Sequence, residues 1–148
     1  MTAAESMPRI VAVGAGRMGR GIAIAFAYAG HRVSLVDLRT RSDEAWRKLA
    51  DEARSEIEGS LRGLASLGVL AAEQVPAIAQ RVQLVRADAA PQALAAAELV
   101  FEGVPETLEA KREAFAHINA HCPQDAILTS TTSSILVTQI AQFVKRPE

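Results

Sequence analysis

The strongest constraint on this 148-residue chain is a glycine-rich turn between an apolar run and a helical pattern. The apolar run covers Ile10 to Val13, and Gly14, Gly16 and Gly19 follow it at G-x-G-x-x-G spacing. The helical pattern after the turn places these apolar residues on one face: Met18, Ile22, Ala25, Phe26 and Ala29. The stretch therefore predicts a strand, a tight turn and a helix that ends at Gly30.

Each of the three glycines has a separate physical role in such a turn. Gly14 permits the turn, Gly16 lets the backbone approach a pyrophosphate, and Gly19 lets the helix lie close to the strand. The first N–H groups of the helix, at the positive end of its dipole, would face the phosphates. We therefore predict that the whole turn binds a dinucleotide, through Gly14, Ala15, Gly16, Arg17, Met18 and Gly19.

An acidic residue at the expected distance supports this interpretation over an ordinary glycine turn. The apolar stretch Arg32 to Val36 predicts a second strand, and Asp37 follows it about twenty residues past the turn. Its carboxylate would accept hydrogen bonds from the adenosine ribose and would repel a 2′-phosphate, which favours NAD over NADP. Arg39 and Arg41 could serve a 2′-phosphate if the loop folded back, so NADP stays an alternative.

The rest of the chain alternates between helical and strand patterns. We predict these further elements: helices from Ser42 to Gly68, Ala72 to Gln80, Pro91 to Ala97, Leu108 to His121 and Ile135 to Phe143, and strands from Val82 to Val85, Leu99 to Val104 and Ala126 to Thr129. This order indicates one α/β domain over residues 1–148, with a Rossmann-type, doubly wound, mainly parallel sheet. Ligands of such sheets bind at the carboxyl ends of the strands.

Composition excludes several other classes of protein. A formal net charge of -1 provides no overall field to attract nucleic acid or a membrane surface. The single cysteine, Cys122, excludes an internal disulfide and favours a cytoplasmic location, and the N-terminal residues lack the apolar core of a signal peptide. His117 and His121 lie one helical turn apart but lack a third ligand, so we predict no metal site.

Four segments of the chain carry a resemblance to a known family. They are Val11 to Ala23, Glu102 to Glu106 with Leu108 and Lys111, Ile127 to Ser134, and Lys145 to Glu148. In this order they resemble the NAD-binding domain of the 3-hydroxyacyl-CoA dehydrogenase family, which includes 3-hydroxybutyryl-CoA dehydrogenases, gulonate dehydrogenase and lambda-crystallin. The resemblance implies an NAD-dependent oxidoreductase that oxidises a 3-hydroxy group of a small-molecule substrate to a 3-keto group by hydride transfer.

The resemblance also implies roles for individual residues. Glu106 and Lys111 would approach the cofactor on its nicotinamide side, Ser133 would contact both cofactor and substrate, and Ser60 matches a substrate-binding serine. Taken without the family, Glu106 is equally well explained as a helix-start acid and Ser133 as a helix cap. Lys111 alone would be a solvated helical lysine.

Departures from the family pattern keep other substrates and roles open. Thr131 stands where the family usually has asparagine, and Leu67 stands where some members carry a lysine associated with CoA. A hydroxy-acid or sugar-acid dehydrogenase, an NADP-using β-hydroxyacid dehydrogenase and a non-catalytic NAD-binding module are therefore alternatives. The resemblance places the catalytic histidine and a helical, dimerising C-terminal domain beyond Glu148. We expect these 148 residues to bind NAD without turnover and the full-length protein to be a homodimer.

Overall fold

The computed structural model describes residues 7–145. Its strands are β1 (Ile10–Val13), β2 (Val33–Val36), β3 (Val82–Val85), β4 (Leu99–Glu102) and β5 (Ile127–Ser130). Its helices are α1 (Arg17–Tyr28), α2 (Asp43–Ser66), α3 (Val75–Ala79), α4 (Ala90–Ala95), α5 (Leu108–His121) and α6 (Val137–Ala141). Within this part of the chain, no helix combines the length and apolar character needed to cross a bilayer.

The strands form one parallel sheet in the order β3-β2-β1-β4-β5. In the centre, Ile10 of β1 pairs with Val33 of β2 on one side and with Leu99 of β4 on the other. The predicted doubly wound, parallel α/β fold is therefore confirmed. The strand order reverses between β1 and β4, and a ligand crevice is expected at the carboxyl ends of these two strands.

Strand β1 is buried on both faces, which explains why its sequence is continuously apolar. Ile10 and Ala12 belong to a core cluster shared with α1, α2 and α3. Val11 and Val13 belong to a second cluster shared with α4, α5 and α6. The two clusters fix the sheet between its helical layers, so the turn after β1 has a rigid base.

The predicted apolar face of α1 is confirmed only in part: Ile22 and Phe26 pack against the core, whereas Ala25 and Ala29 are exposed. The buried residues of this helix are Gly19, Ala23 and Ala27, whereas the side chain of Met18 is 53% exposed. The helix lies so close to the sheet that a Cβ at Gly19 would come 1.8 Å from the carbonyl oxygen of Gly14. Only small residues fit there, and a pattern based on large apolar residues does not show such a contact.

Most other elements lie within a few residues of their predicted bounds. Helix α2 begins as predicted, because the Ser42 hydroxyl accepts a hydrogen bond from the Ala45 N–H at 3.2 Å. The predicted helix Ala72 to Gln80 is divided into a 3-10 turn, Ala72–Gln74, and the short helix α3. The predicted helix from Ile135 to Phe143 is reduced to α6. The Glu106 carboxylate accepts a hydrogen bond from the Ile135 N–H, which holds the residues before α6 in an irregular turn.

Candidate functional site

A cleft of about 530 Å³ opens where β1, β2 and β4 end. Its walls come from the turn after β1, the loops after β2 and β4, and one face of α5. The lining residues include Gly14, Ala15, Gly16, Arg17, Met18, Arg20, Asp37, Leu38, Arg39, Arg41, Gly103, Val104, Pro105, Ala110, Glu113, Ala114 and His117. The structure thus brings Asp37 and most of the predicted turn residues into one cleft; Gly19 lies beneath it, packed on Gly14.

The glycines of the turn divide into two kinds. Gly14 has a φ of +106°, and a Cβ there would lie 2.7 Å from the carbonyl oxygen of Gly103. Gly19 is equally confined, by the carbonyl of Gly14. A Cβ at Gly16, in contrast, would have no atom within 4 Å, so it would project into open space. The turn therefore fits a dinucleotide, because the space beside the Gly16 backbone is free for a pyrophosphate.

The electrostatics of this turn also suit an anion. Gly16 is the N-cap of α1, and the first turn of the helix carries no acidic side chain that would compete for its N–H groups. Arg20 holds the turn in place: its Nε donates to the Ala15 carbonyl at 2.9 Å, and its guanidinium pairs with Glu56 of α2. This role of Arg20 was not predicted, because Arg20 occupies no fixed position of the glycine pattern.

Asp37 lies at the carboxyl end of β2 and is only 6% exposed. Its N–H donates to the Val85 carbonyl at 2.9 Å, which ties it to β3. One carboxylate oxygen accepts a long hydrogen bond, 3.4 Å, from the Arg39 N–H, and the other pairs with the Arg41 guanidinium. The loop after β2 therefore folds back onto the acid that the sequence assigns to the ribose.

One face of α5 forms the wall of the cleft that the sequence analysis did not find. Ala110, Glu113, Ala114 and His117 line the cleft at helical i, i+3, i+4, i+7 spacing. His117 is exposed, as expected for a surface histidine, but it also faces the cleft. The same spacing in the sequence could have indicated a common face, although not which ligand it meets.

A buried ion pair lies beside the cleft, at the ends of β4 and β5. Lys111 and Glu102 are both 0% exposed, and the Lys111 Nζ donates to the two Glu102 oxygens at 3.0 and 2.9 Å. Glu102 also accepts hydrogen bonds from the Val104 N–H at 2.8 Å and from the Ser130 hydroxyl. A buried charge with this many partners is positioned rigidly. Glu102 received no individual role from the sequence patterns.

Lys111 joins this pair to Glu106. Its Nζ lies 3.1 Å from a Glu106 oxygen, so the ammonium group is enclosed by two carboxylates and does not line the cleft. It is not the solvated lysine that its helical position alone suggested. Its predicted contact with the cofactor stays a prediction.

Glu106 organises the hydroxyl-rich segment after β5. Its Oε1 accepts from the Thr132 hydroxyl at 2.6 Å and from the Ser133 and Ser134 N–H groups at 2.9 and 3.0 Å. These hydrogen bonds, that of Thr132 above all, hold the pKa of Glu106 well below its usual range. Glu106 lies before the start of α5: the helix is capped by Thr107, whose hydroxyl accepts a 3.2 Å hydrogen bond from the Ala110 N–H, and the acid in its first turn is Glu109.

Ser133 and Ser60 lie in different surroundings. Ser133 is exposed next to Glu106, and its hydroxyl makes no hydrogen bond to any residue from 7 to 145. It does not cap a helix either, since α6 begins after Leu136. Ser60 is exposed on α2 and is not among the residues that line the cleft. Over the described range, no three His, Cys, Asp or Glu residues are grouped to hold a metal ion.

Comparisons with known proteins agree with this geometry. Residues 9–148 match the family model for the 3-hydroxyacyl-CoA dehydrogenase NAD-binding domain. The chain is 38% identical over 139 residues to 3-hydroxyadipyl-CoA dehydrogenase of Escherichia coli, covering 94% of this chain and 27% of the relative. It is 32% identical over 143 residues to a probable 3-hydroxybutyryl-CoA dehydrogenase of Bacillus subtilis, covering 95% of this chain and 45% of the relative.

A solved structure shares the fold. The crystal structure of (S)-3-hydroxybutyryl-CoA dehydrogenase from Ralstonia eutropha superposes with a TM-score of 0.78 at 30% identity, covering 95% of this chain and 46% of that chain. The chain therefore spans less than half the length of these relatives.

Proposed function

The chain belongs to the family of NAD-binding domains of 3-hydroxyacyl-CoA dehydrogenases, and on that premise we propose that the whole protein oxidises the 3-hydroxy group of a 3-hydroxyacyl-CoA to a 3-keto group. The observation that carries the proposal is the cleft itself, in which the open backbone at Gly16 lies beside the acidic Asp37. NAD supplies the hydride acceptor for such an oxidation. The residues of this domain bind and orient it.

The glycine turn and Asp37 hold the adenosine and pyrophosphate end of the cofactor. The N–H groups at the start of α1 face the place beside Gly16 where the pyrophosphate fits. Asp37 then meets the hydroxyls of the adenosine ribose, as the acid after the second strand does in dinucleotide-binding folds. Together these groups would hold the adenosine and pyrophosphate end of NAD, and the residues at the ends of β4 and β5 would hold its nicotinamide end.

Glu106 and Ser133 serve the nicotinamide end. Glu106 stays ionised and fixes the backbone of Ser133 by accepting its N–H, which leaves the Ser133 hydroxyl exposed. That hydroxyl can donate to or accept from a substrate hydroxyl or carbonyl. In keeping with the family resemblance, we propose that a general base outside these 148 residues removes the hydroxyl proton; among residues 7–145, no histidine forms a hydrogen bond with Ser133.

Calorimetric titration with NADH tests the binding part of the proposal. We expect saturable NADH binding by the wild-type domain and at least about hundredfold weaker binding by Gly16→Val, because the added side chain fills the pyrophosphate space. Gly21→Val is the matched control: Gly21 also has open space around it, is exposed on α1 and does not line the cleft. Equal NADH affinity of Gly16→Val and wild type would contradict the placement of the cofactor.

The substrate is tested on the full-length protein. We expect NADH formation from a short 3-hydroxyacyl-CoA and not from the corresponding free hydroxy acid or from a sugar acid. Ser133→Ala should lower the rate in the same protein, because the exposed hydroxyl is lost while the Glu106 contact to the backbone N–H remains. Oxidation of the free acid alone would overturn the acyl-CoA assignment.

The homodimer, the cytoplasmic location and the Ser60 contact with substrate stay proposals of the same kind. The single cysteine supports a reducing compartment, and the apolar Ile127 on the edge strand β5, 63% exposed, supports a further protein contact there. Light scattering of the full-length protein measures its oligomeric state.

A further inference from the structure

We propose that Arg41 reduces the ability of Asp37 to exclude a 2′-phosphate, so that this domain binds NADPH with an affinity within about tenfold of that for NADH. The inference rests on the proposed function, since it concerns the same cleft and the same cofactor position. It assigns to Arg41 the role of setting cofactor discrimination.

The ion pair between Arg41 and Asp37 is the first observation. An acid at the end of the second strand excludes a 2′-phosphate by charge repulsion and by occupying its place. Here that carboxylate is paired with a guanidinium, and the Asp37 side chain is 8% exposed while the Arg41 side chain is 28% exposed. The negative charge is thus compensated at the position where repulsion would act, and the compensating cation is accessible from the cleft.

The second observation is that the loop carrying Arg41 is held in its folded-back position. Arg86, which follows β3, donates to the Arg41 carbonyl at 3.5 Å and to the Asp43 carboxylate at 2.8 Å. Its guanidinium also lies 5.8 Å from the centre of the Trp46 ring. Arg86 therefore holds the Arg41 backbone next to β3 and α2, which keeps the Arg41 side chain within reach of Asp37.

The third observation is the charge of the cleft wall. Arg39 lies next to this pair, lines the same cleft and is exposed, and its side chain makes no ion pair or hydrogen bond within the range 7–145. A 2′-phosphate carries about −1.5 to −2 charges and three acceptor oxygens at neutral pH. Arg39 and Arg41 together offer two guanidinium groups to it, so the NADP alternative raised by the sequence has a geometric basis.

The two cofactors respond differently to loss of Arg41. With NADH, the ribose hydroxyls compete with Arg41 for the Asp37 carboxylate, so removing Arg41 leaves the affinity unchanged or raises it. With NADPH, the same change removes a phosphate partner and exposes the charge of Asp37. The ratio of the two affinities is therefore the diagnostic quantity, because a general loss of stability would weaken both cofactors alike.

The experiment is calorimetric titration of wild type, Arg41→Ala and Arg54→Ala with NADH and NADPH separately. We expect Arg41→Ala to widen the NADH preference by about tenfold or more, mainly through weaker NADPH binding. Arg54→Ala is the matched control, since Arg54 is an exposed arginine of α2 that pairs with Asp51 at 3.3 Å and does not line the cleft. The ratio of NADH to NADPH affinity of Arg54→Ala should equal that of wild type.

A double-variant cycle separates the inference from the proposed function. In the Asp37→Asn background, Arg41→Ala should widen the ratio less, because there is no acid left to uncover. If wild type binds NADH and Arg41→Ala does not change the ratio of NADH to NADPH affinity, the role of Arg41 is overturned and the NAD site stands. Wild-type NADPH binding more than about hundredfold weaker than NADH binding would also overturn it. Failure of wild type to bind NADH would overturn the proposed function itself.

Discussion

The two ends of the candidate cofactor site differ in the chemical groups that form them. At the turn after β1, the site consists of backbone and open space, and Gly16 contributes by having no side chain. At the ends of β4 and β5, it consists of charged side chains, Glu102, Lys111 and Glu106, whose contacts are made with one another and with the hydroxyl-rich segment.

Because of this difference, substitutions in the turn can change cofactor binding without changing the stability of the fold, whereas substitutions in the charged cluster cannot. In the turn, Gly14 and Gly19 support the fold whereas Gly16 is free to serve a ligand, so single substitutions can affect one property alone. In the charged cluster, the hydrogen bonds at the proposed nicotinamide end also hold β4, α5 and β5 together. Substitutions there should change stability first and binding as a consequence.

The largest effect is expected in the charged cluster. Lys111→Met leaves Glu102 buried without a counter-ion, and we expect a loss of about 3–5 kcal/mol in the free energy of unfolding. Urea denaturation measures it. The double variant Lys111→Met, Glu102→Gln should recover much of the loss, because the neutral amide can still accept from Val104. Lys48→Met, at an exposed lysine of α2, is the control. If Lys111→Met were as stable as Lys48→Met, the cluster would not differ from a surface pair.

A smaller effect on the free energy of unfolding should distinguish Gly19 from Gly16 in the turn. Gly19→Ala forces the helix away from the Gly14 carbonyl, and we expect a loss of about 2–3 kcal/mol. Gly16→Ala meets nothing within 4 Å and should cost less than about 1 kcal/mol, the amount expected for a changed helix cap. Thermal unfolding of both variants gives the comparison. If Gly16→Ala and Gly19→Ala lost similar amounts of stability, the open space beside Gly16 would not explain the difference between the two glycines.

The smallest effect is a dependence of stability on pH. Because the folded-state pKa of Glu106 is below its ordinary value of 4.5, its ionised form stabilises the fold above that pH. The contribution is lost as pH falls from there toward the folded-state pKa. The stability difference between wild type and Glu106→Gln should therefore be constant near neutral pH and shrink below about pH 4.5. A stability difference between wild type and Glu106→Gln that does not change with pH would contradict this role of Glu106.

Sequence patterns predicted the elements and the glycine turn well because these depend on local chemistry. Strand β1 and the start of α2 were predicted to the residue, from an apolar run and a capping serine. The buried face of α1 was not, since the contact of Gly19 with Gly14 depends on how closely two elements approach. Glu102 belonged to a segment that resembles the family but received no role of its own, because the function of an acid in an apolar strand depends on its partner Lys111 on α5.

The sequence by itself determined the alternation of strands and helices, the parallel sheet and the position of Asp37 after the second strand, because periodicity and spacing act along the chain. Only the tertiary structure decided that Lys111 is enclosed by two carboxylates, that Glu106 holds the segment at Ser133, and that Arg41 folds back onto Asp37. The physical reason is that charge pairing depends on distance in space. In the Lys111 cluster that distance joins residues from two strands and a helix, which become neighbours only when the sheet is assembled.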